Sequence, residues 1–126
     1  MRSMSVIPLG KMKKVEKVWG HEVWIWNESY CGKILCFKDK GSKTSWHYHK
    51  VKDEVLYLQS GLVQIHYSED NDLAKAKSVK IYAGDAFHVS VELRHRIEAL
   101  YPSIVLEIST HHDDEDSIRI PIEKEM

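Results

Sequence analysis

Hydrophobic and polar positions along this chain alternate in short runs broken by turn residues, a period of two that predicts strands. Residues 19–27 (WGHEVWIWN) are rich in Trp, Val and Ile, and residues 30–37 (YCGKILCF) follow a short polar break. Residues 38–45 are polar, hold Gly41 and read as a loop; residues 46–49 predict a short strand. Residues 55–59 and 62–67 flank Ser60-Gly61, a hairpin-turn signal. Residues 68–78 (SEDNDLAKAKS) are charged and predict a long loop outside the core, with DLAKAK the one weak helical signal. Strands over 79–82, 86–89, 95–99 and 104–108 bring the total to about nine. Many short strands with almost no helix predict an all-β fold, an antiparallel barrel or sandwich.

The same alternation assigns faces. His47 and His49 share one face of their strand, and Trp46 and Tyr48 take the other. In the next strand Glu54, Leu56 and Leu58 share a face, opposite Val55, Tyr57 and Gln59. If Glu54 turns back beside the histidines, Trp46, Tyr48, Val55 and Tyr57 look outward. An outward row of aromatics needs cover. That row, on a small chain, predicts a homodimer.

Composition narrows the class. A chain of 126 residues predicts one domain that closes its own core, here residues 15–126. Residues 1–14 carry positive charge but no apolar h-region, so they read as a poorly ordered arm and not a secretory signal. The formal net charge of -1 offers no electrostatic reason to bind nucleic acid or an anionic membrane. No apolar run has the length of a membrane span. Cys31 and Cys36 stand five apart on one strand, on opposite faces, so they read as reduced thiols of a cytoplasmic protein.

The chemistry concentrates in residues 41–61, GSKTSWHYHKVKDEVLYLQSG. Two imidazoles and a carboxylate on one face are three ligands for a divalent transition metal. The spacing is Gly41, five residues, His47, one residue, His49, four residues, Glu54, six residues, Gly61. This resembles the first motif of the cupin family at every specified position. The second cupin motif reads Gly, five residues, Pro, one residue, Gly, two residues, His, three residues, Asn. Gly84 and His95 stand in register with it, while Ser90, Glu92 and Ala99 replace its Pro, second Gly and Asn. The histidine is kept, and the tight turn before it is expected to be lost.

The resemblance implies a cupin jelly-roll antiparallel β-barrel in which His47, His49, Glu54 and His95 bind one divalent metal. Three His and a carboxylate leave two positions of an octahedral ion for water, dioxygen or a chelating substrate. Manganese, iron(II) or nickel suits such a site better than zinc, which prefers four tetrahedral ligands, but geometry leaves all four open. The segments WGHEVWIWN, YCGKIL and LEISTHHDDEDSIRI also resemble the carboxy-terminal cupin domain of mannose-6-phosphate isomerase-type proteins. That implies aldose–ketose interconversion of a small-molecule substrate, a phosphorylated sugar, by proton transfer beside a metal. A non-haem iron or manganese dioxygenase and a non-catalytic sugar-binding cupin are the alternatives, because fold does not choose among them.

Candidates for the base, or for a group that binds phosphate or hydroxyl, are Glu92, His88, Lys33 and Glu107. Arg94 and Arg96 flank His95, so alternation points them away from the metal. His66 reads as a solvent-side residue, and residues 111–116 (HHDDED) as a solvated charge run. Trp24 and Trp26, spaced for one face, read as packing, with a sugar-stacking platform as the sharper alternative.

Overall fold

The computed structural model describes residues 5–122. Eleven strands follow in order: β1 Lys13–Lys17, β2 Gly20–Asn27, β3 Tyr30–Phe37, β4 His47–His49, β5 Glu54–Ser60, β6 Leu62–Ser68, β7 Lys77–Tyr82, β8 Ala86–Val89, β9 Arg94–Ala99, β10 Ser103–Thr110 and β11 Ser117–Arg119. Among the described residues the only helical pieces are three 3-10 turns, at Leu9–Lys11, Leu73–Lys75 and Asp114–Asp116. The DLAKAK segment therefore supplies one short turn, capped by the Asp72 side chain, which accepts from the Ala74 N–H.

The strands form two antiparallel sheets. One has the order β1-β2-β3-β10-β5-β8 and the other β11-β4-β9-β6-β7. Among the described residues no ladder joins them, so the expected barrel is an open jelly roll, two sheets face to face. Two strands exceed the expected set. β1 begins at Lys13, inside the stretch expected to be an arm, where Lys13 and Lys14 pair with Trp24 and Val23. β11 pairs with β4, placing Ser117 opposite His49. Both are short and charged, so neither shows a hydrophobic alternation; the sheet edge recruits them.

Strand periodicity builds the interior in layers. The inward file of β3 is Cys31, Lys33, Leu35, Phe37, and that of β10 is Ser103, Val105, Glu107, Ser109; all are buried. β5 contributes Glu54, Leu56, Leu58, and β9 contributes His95, Ile97, Ala99. The files of β5 and β9 thus start polar and turn apolar two residues on, and β3 makes the same change between Lys33 and Leu35. The apolar ends meet in one core with Val63, Ile65, Ile81 and Val89. Burying such a side chain contributes about 1.5–3 kcal/mol, so this half holds the sheets together. The polar ends line a cavity at the other end of the sandwich.

The glycines of the first motif have distinct reasons. Gly41 takes φ +88 and its N–H donates to the Ala99 carbonyl at 2.7 Å. Gly61 takes φ +95, and a Cβ there would strike Pro102 and Ser103. The turn before His95, expected to be lost, is kept. Glu92 occupies the left-handed region at φ 70, its N–H donates to the His49 carbonyl at 2.8 Å, and the Leu93 N–H donates to Ser90 at 3.1 Å. A non-glycine residue there costs about 1–2 kcal/mol, offset by these bonds.

The outward aromatic row is also revised. Trp46 is 1% exposed; the charged loop after β6 folds over it, and its Nε1 donates to the Asn71 carbonyl at 2.8 Å. Tyr48 lies under the Arg94 guanidinium, 3.8 Å from its ring. Two of the four residues expected to need a partner are covered by this chain. Trp24 and Trp26 do not share a face either, because the β2–β3 register shifts between them. Trp24 pairs with inward Lys33 and Trp26 with Gly32.

Candidate metal centre

The three imidazoles meet because β4 and β9 are neighbours. His47 pairs directly with His95 across the ladder, and His49 lies two residues along the same face of β4. One ring nitrogen from each of His47, His49 and His95 falls within 4.8 Å of the others. The remaining nitrogens fix the tautomers. His47 Nδ1 donates to the Ser45 carbonyl at 2.8 Å, His95 Nδ1 to Leu93 at 2.9 Å and His49 Nδ1 to Asp116 at 3.2 Å. A carbonyl can only accept, so each Nδ1 carries the proton and each Nε2 keeps its lone pair free for a metal.

Glu54 enters from the opposite sheet. Its Oε1 lies 3.4 Å from His95 Nε2, and its Oε2 lies 3.9 Å from His49 Nε2. The Lys52 ammonium is 3.0 Å from Oε2 but outside hydrogen-bond geometry, so this oxygen is buried without a hydrogen bond. An orphaned carboxylate oxygen beside three free imidazole lone pairs fits a divalent cation.

The electrostatics favour ligand forms. Burial, with His95 nearby, pushes the His47 imidazole well below its ordinary value. Burial and Lys52 lower His49 to about 4. Both are neutral at pH 7, as metal ligation requires. Burial alone would raise the Glu54 carboxyl, but His95 and Lys52 outweigh it and hold it well below the carboxylate range.

These ligands line a cavity of about 750 Å³. Lys52, buried at 2% exposure, organises its floor. Its Nζ donates to Glu107 Oε2 at 2.9 Å and to His112 Nδ1 at 3.0 Å, and pairs with Glu54. His112 Nε2 in turn donates to Asp114 at 2.8 Å. Burial disfavours the ammonium, but Glu54 and Glu107 outweigh it and raise Lys52 above the ordinary lysine range. Burial and Glu54 push the Glu107 carboxyl up. Asp116 fixes the approach to β5 by accepting from the backbone N–H groups of Lys50, Val51 and Lys52, the shortest at 2.9 Å.

The structure therefore sorts the sequence candidates. His47, His49, Glu54, His95, Lys33 and Glu107 share the cavity. His88 does not reach it: even positions of β8 face outward, and His88 bonds Asp53 at 2.8 Å in solvent. Glu92 is exposed on its turn, its side chain outside the cavity lining. Arg94 turns away as expected, but Arg96 does not: it is buried and lines the cavity, its Nε donating to the Thr44 carbonyl at 2.8 Å. His66 lies on the outer face between Ser78 and Glu98. The acidic run is not merely solvated, since His112 and Asp116 build the site. Lys52 was findable by extending the Glu54 alternation back two residues. His112 had no such signal, because the chain leaves strand geometry after Thr110.

No family model and no curated protein matches this sequence. Solved structures do match it in shape. KdgF from Halomonas sp. aligns with a TM-score of 0.72 at 17% identity, over 90% of this chain and 98% of that one. The fold is the cupin jelly roll. The capsular polysaccharide assembling protein CapF from Staphylococcus aureus aligns with a TM-score of 0.71 at 16% identity, over 88% of this chain and 32% of that one. Oxalate decarboxylase of Bacillus subtilis, a protein with Mn(II) centres, aligns with a TM-score of 0.77 at 14% identity, over 95% and 34%. This chain spans about a third of the length of those two longer chains. No helix among the described residues is long and apolar enough to cross a membrane.

Two outcomes follow from the site. His49→Ala is expected to remove most bound metal, whereas His66→Ala leaves the content unchanged. Elemental analysis of untagged protein measures both, and equal loss in the two variants would refute the face assignment. The second concerns pH in metal-free protein. His47 and His49 titrate below the ordinary 6.5 when folded, so the unfolded chain binds more protons as pH falls through that value. Stability is full above 6.5 and drops toward about 4. Urea midpoints across that window should decline, and less steeply in His49→Gln; a flat profile would contradict the assignment.

Proposed function

We propose that this cupin is a divalent-metal-dependent isomerase that interconverts an aldose and a ketose, with a phosphorylated sugar as substrate class. The observation that carries the reading is the buried pair of Glu107 and Lys52. It places a carboxyl of raised pKa in the same cavity as the histidine ligand set. A volume of about 750 Å³ is ample for one sugar phosphate.

A divalent ion held by His47, His49, His95 and Glu54 supplies Lewis acidity to a carbonyl and its neighbouring hydroxyl. The protein's own part is proton transfer. Lys52 and Ser109 both donate to Glu107 Oε2, leaving Oε1 to meet the substrate. As base, Glu107 accepts the proton from the carbon beside the carbonyl and returns it to the adjacent carbon. The proton of the neighbouring hydroxyl moves the same way, to the former carbonyl oxygen, so no atom is gained or lost. A carboxyl raised toward neutral pH is suited to both accepting and returning a proton.

We also infer a homodimer, through Val55 and Tyr57, the part of the expected outward row that this chain leaves uncovered, together with neighbouring strands of the same sheet. The outer face of the six-stranded sheet carries continuous apolar rows. Trp26, Gly32, Ile108 and Val55 align in one, and Val23, Ile34, Leu106 and Tyr57 in the next. Tyr30 and Ile108 on this face are each 62% exposed. A second copy is the occupant that buries the same uncharged patch twice about a two-fold axis. The free thiols Cys31 and Cys36 support a cytoplasmic location.

Purified protein should contain near-stoichiometric metal and turn over mannose or fructose phosphates in a coupled assay with Mn, Fe(II), Ni or Zn. Glu107→Gln should lower kcat by about 10²-fold or more with metal content retained. No turnover across a sugar-phosphate panel would remove the isomerase reading. For the dimer, sedimentation at micromolar concentration should give twice the chain mass, and Ile108→Glu should give one chain with its metal intact. A monomeric wild type would refute the interface.

A further inference from the structure

Lys33 stands out among the cavity's buried charges. It belongs to the inward file of β3 and is 2% exposed. An ammonium has three donors. Among the described residues the polar contact of Lys33 Nζ is one carboxylate oxygen, Glu22 Oε1, at 3.5 Å. That oxygen already accepts from Trp24 Nε1 at 2.9 Å. The nitrogen also lies over the Trp24 ring face at 4.1 Å and feels the charges of Glu107 and Asp114, with no hydrogen bond to either among the described residues. Lys52, by contrast, has three polar partners within 3.0 Å. A buried ammonium with one long hydrogen bond is costly, and it lines a space large enough to receive a partner.

Its position is well defined. Trp24 shares the inward face of Glu22 and stands opposite Lys33, and the register shift beyond it turns only Trp26 away. Lys13 lies over the same ring at 4.4 Å, and the Glu22 bond holds the indole. The cavity walls carry six cationic and five carboxylate side chains. A divalent ion on the neutral histidines would raise that balance to three positive charges. The centre is then complete in cations and short of an anion.

We propose that Lys33 is an anion anchor, taking the carboxylate or phosphate end of a small ligand whose oxygens reach the histidine centre across the same cavity. This rests on the metal-centred reading of the cavity and not on isomerisation. Lys33 supplies donors that the ligand's anionic oxygens accept, and Trp24 fixes the direction from which they approach. Neutral ligands of the same shape leave the ammonium unsatisfied and bind more weakly.

Manganese-loaded full-length protein is titrated calorimetrically with glucose, glucuronate and glucose 6-phosphate. These three share a ring and differ in carrying a hydroxyl, a carboxylate or a phosphate at the last carbon. At low ionic strength at least one anion should bind about tenfold or more tighter than glucose, and the two anionic arms tell carboxylate from phosphate. Lys33→Met should abolish that preference while glucose affinity and manganese content stay unchanged, and Lys33→Arg should restore it. Equal binding of all three probes, or an anion preference that survives Lys33→Met, overturns the anchor, as does loss of manganese in that variant. Turnover is not read, so an anchor without isomerisation, or isomerisation without the anchor, separates this inference from the function above.

Discussion

One ammonium holds the functional half of this molecule together. Lys52 lies between two carboxylates that are themselves buried, pairing with Glu54 and donating hydrogen bonds to Glu107 and His112. Two buried carboxylates could not both be charged without it. Removing one partner of such a group typically costs 3–5 kcal/mol, because the other charges stay buried. The backbone around Lys52 is fixed by Asp116, so the charge is delivered to a set place. The candidate ligand Glu54 and the buried carboxyl of Glu107 are both held by that placement.

The site and the core are two ends of the same strands. A period of two sends Glu54, Leu56 and Leu58 to one interior, and His95, Ile97 and Ala99 to the same one from the opposite sheet. The apolar pairs close the sandwich and hold the sheets at a spacing the imidazoles can use. The backbone then sets the tautomers, because three carbonyls take the three Nδ1 protons. The candidate metal site is therefore oriented by main chain, which is less mobile than side chains would be.

The shape matches cupin structures at 13–17% identity. Such distance is tolerated because few positions are constrained by geometry. Gly61 is one, since a Cβ has no room there. The turn before His95 is not, since Glu92 adopts the left-handed conformation that a glycine would take more cheaply.

The first motif was fully legible from residues 41–61, because each of its positions answers a local rule: positive φ at Gly41 and Gly61, alternation at His47 and His49, and a strand start at Glu54. Alternation and turn residues likewise showed an all-β chain and nine of its eleven strands. What they could not supply was pairing. β1 and β11 are too short and charged to declare themselves, and they form only because an edge strand offers unpaired backbone groups. The faces of Trp24 and Trp26 were decided by a bulge, and the cover over Trp46 by a loop arriving from Asn71. His88 failed as a site residue because the register of β8 turns it outward, while His112 qualified through a departure from strand geometry. The sequence alone thus determined the local periods, and with them the candidate ligand residues. Only the tertiary structure decided which polar residues share the cavity, because that depends on contacts across as many as 85 residues of chain.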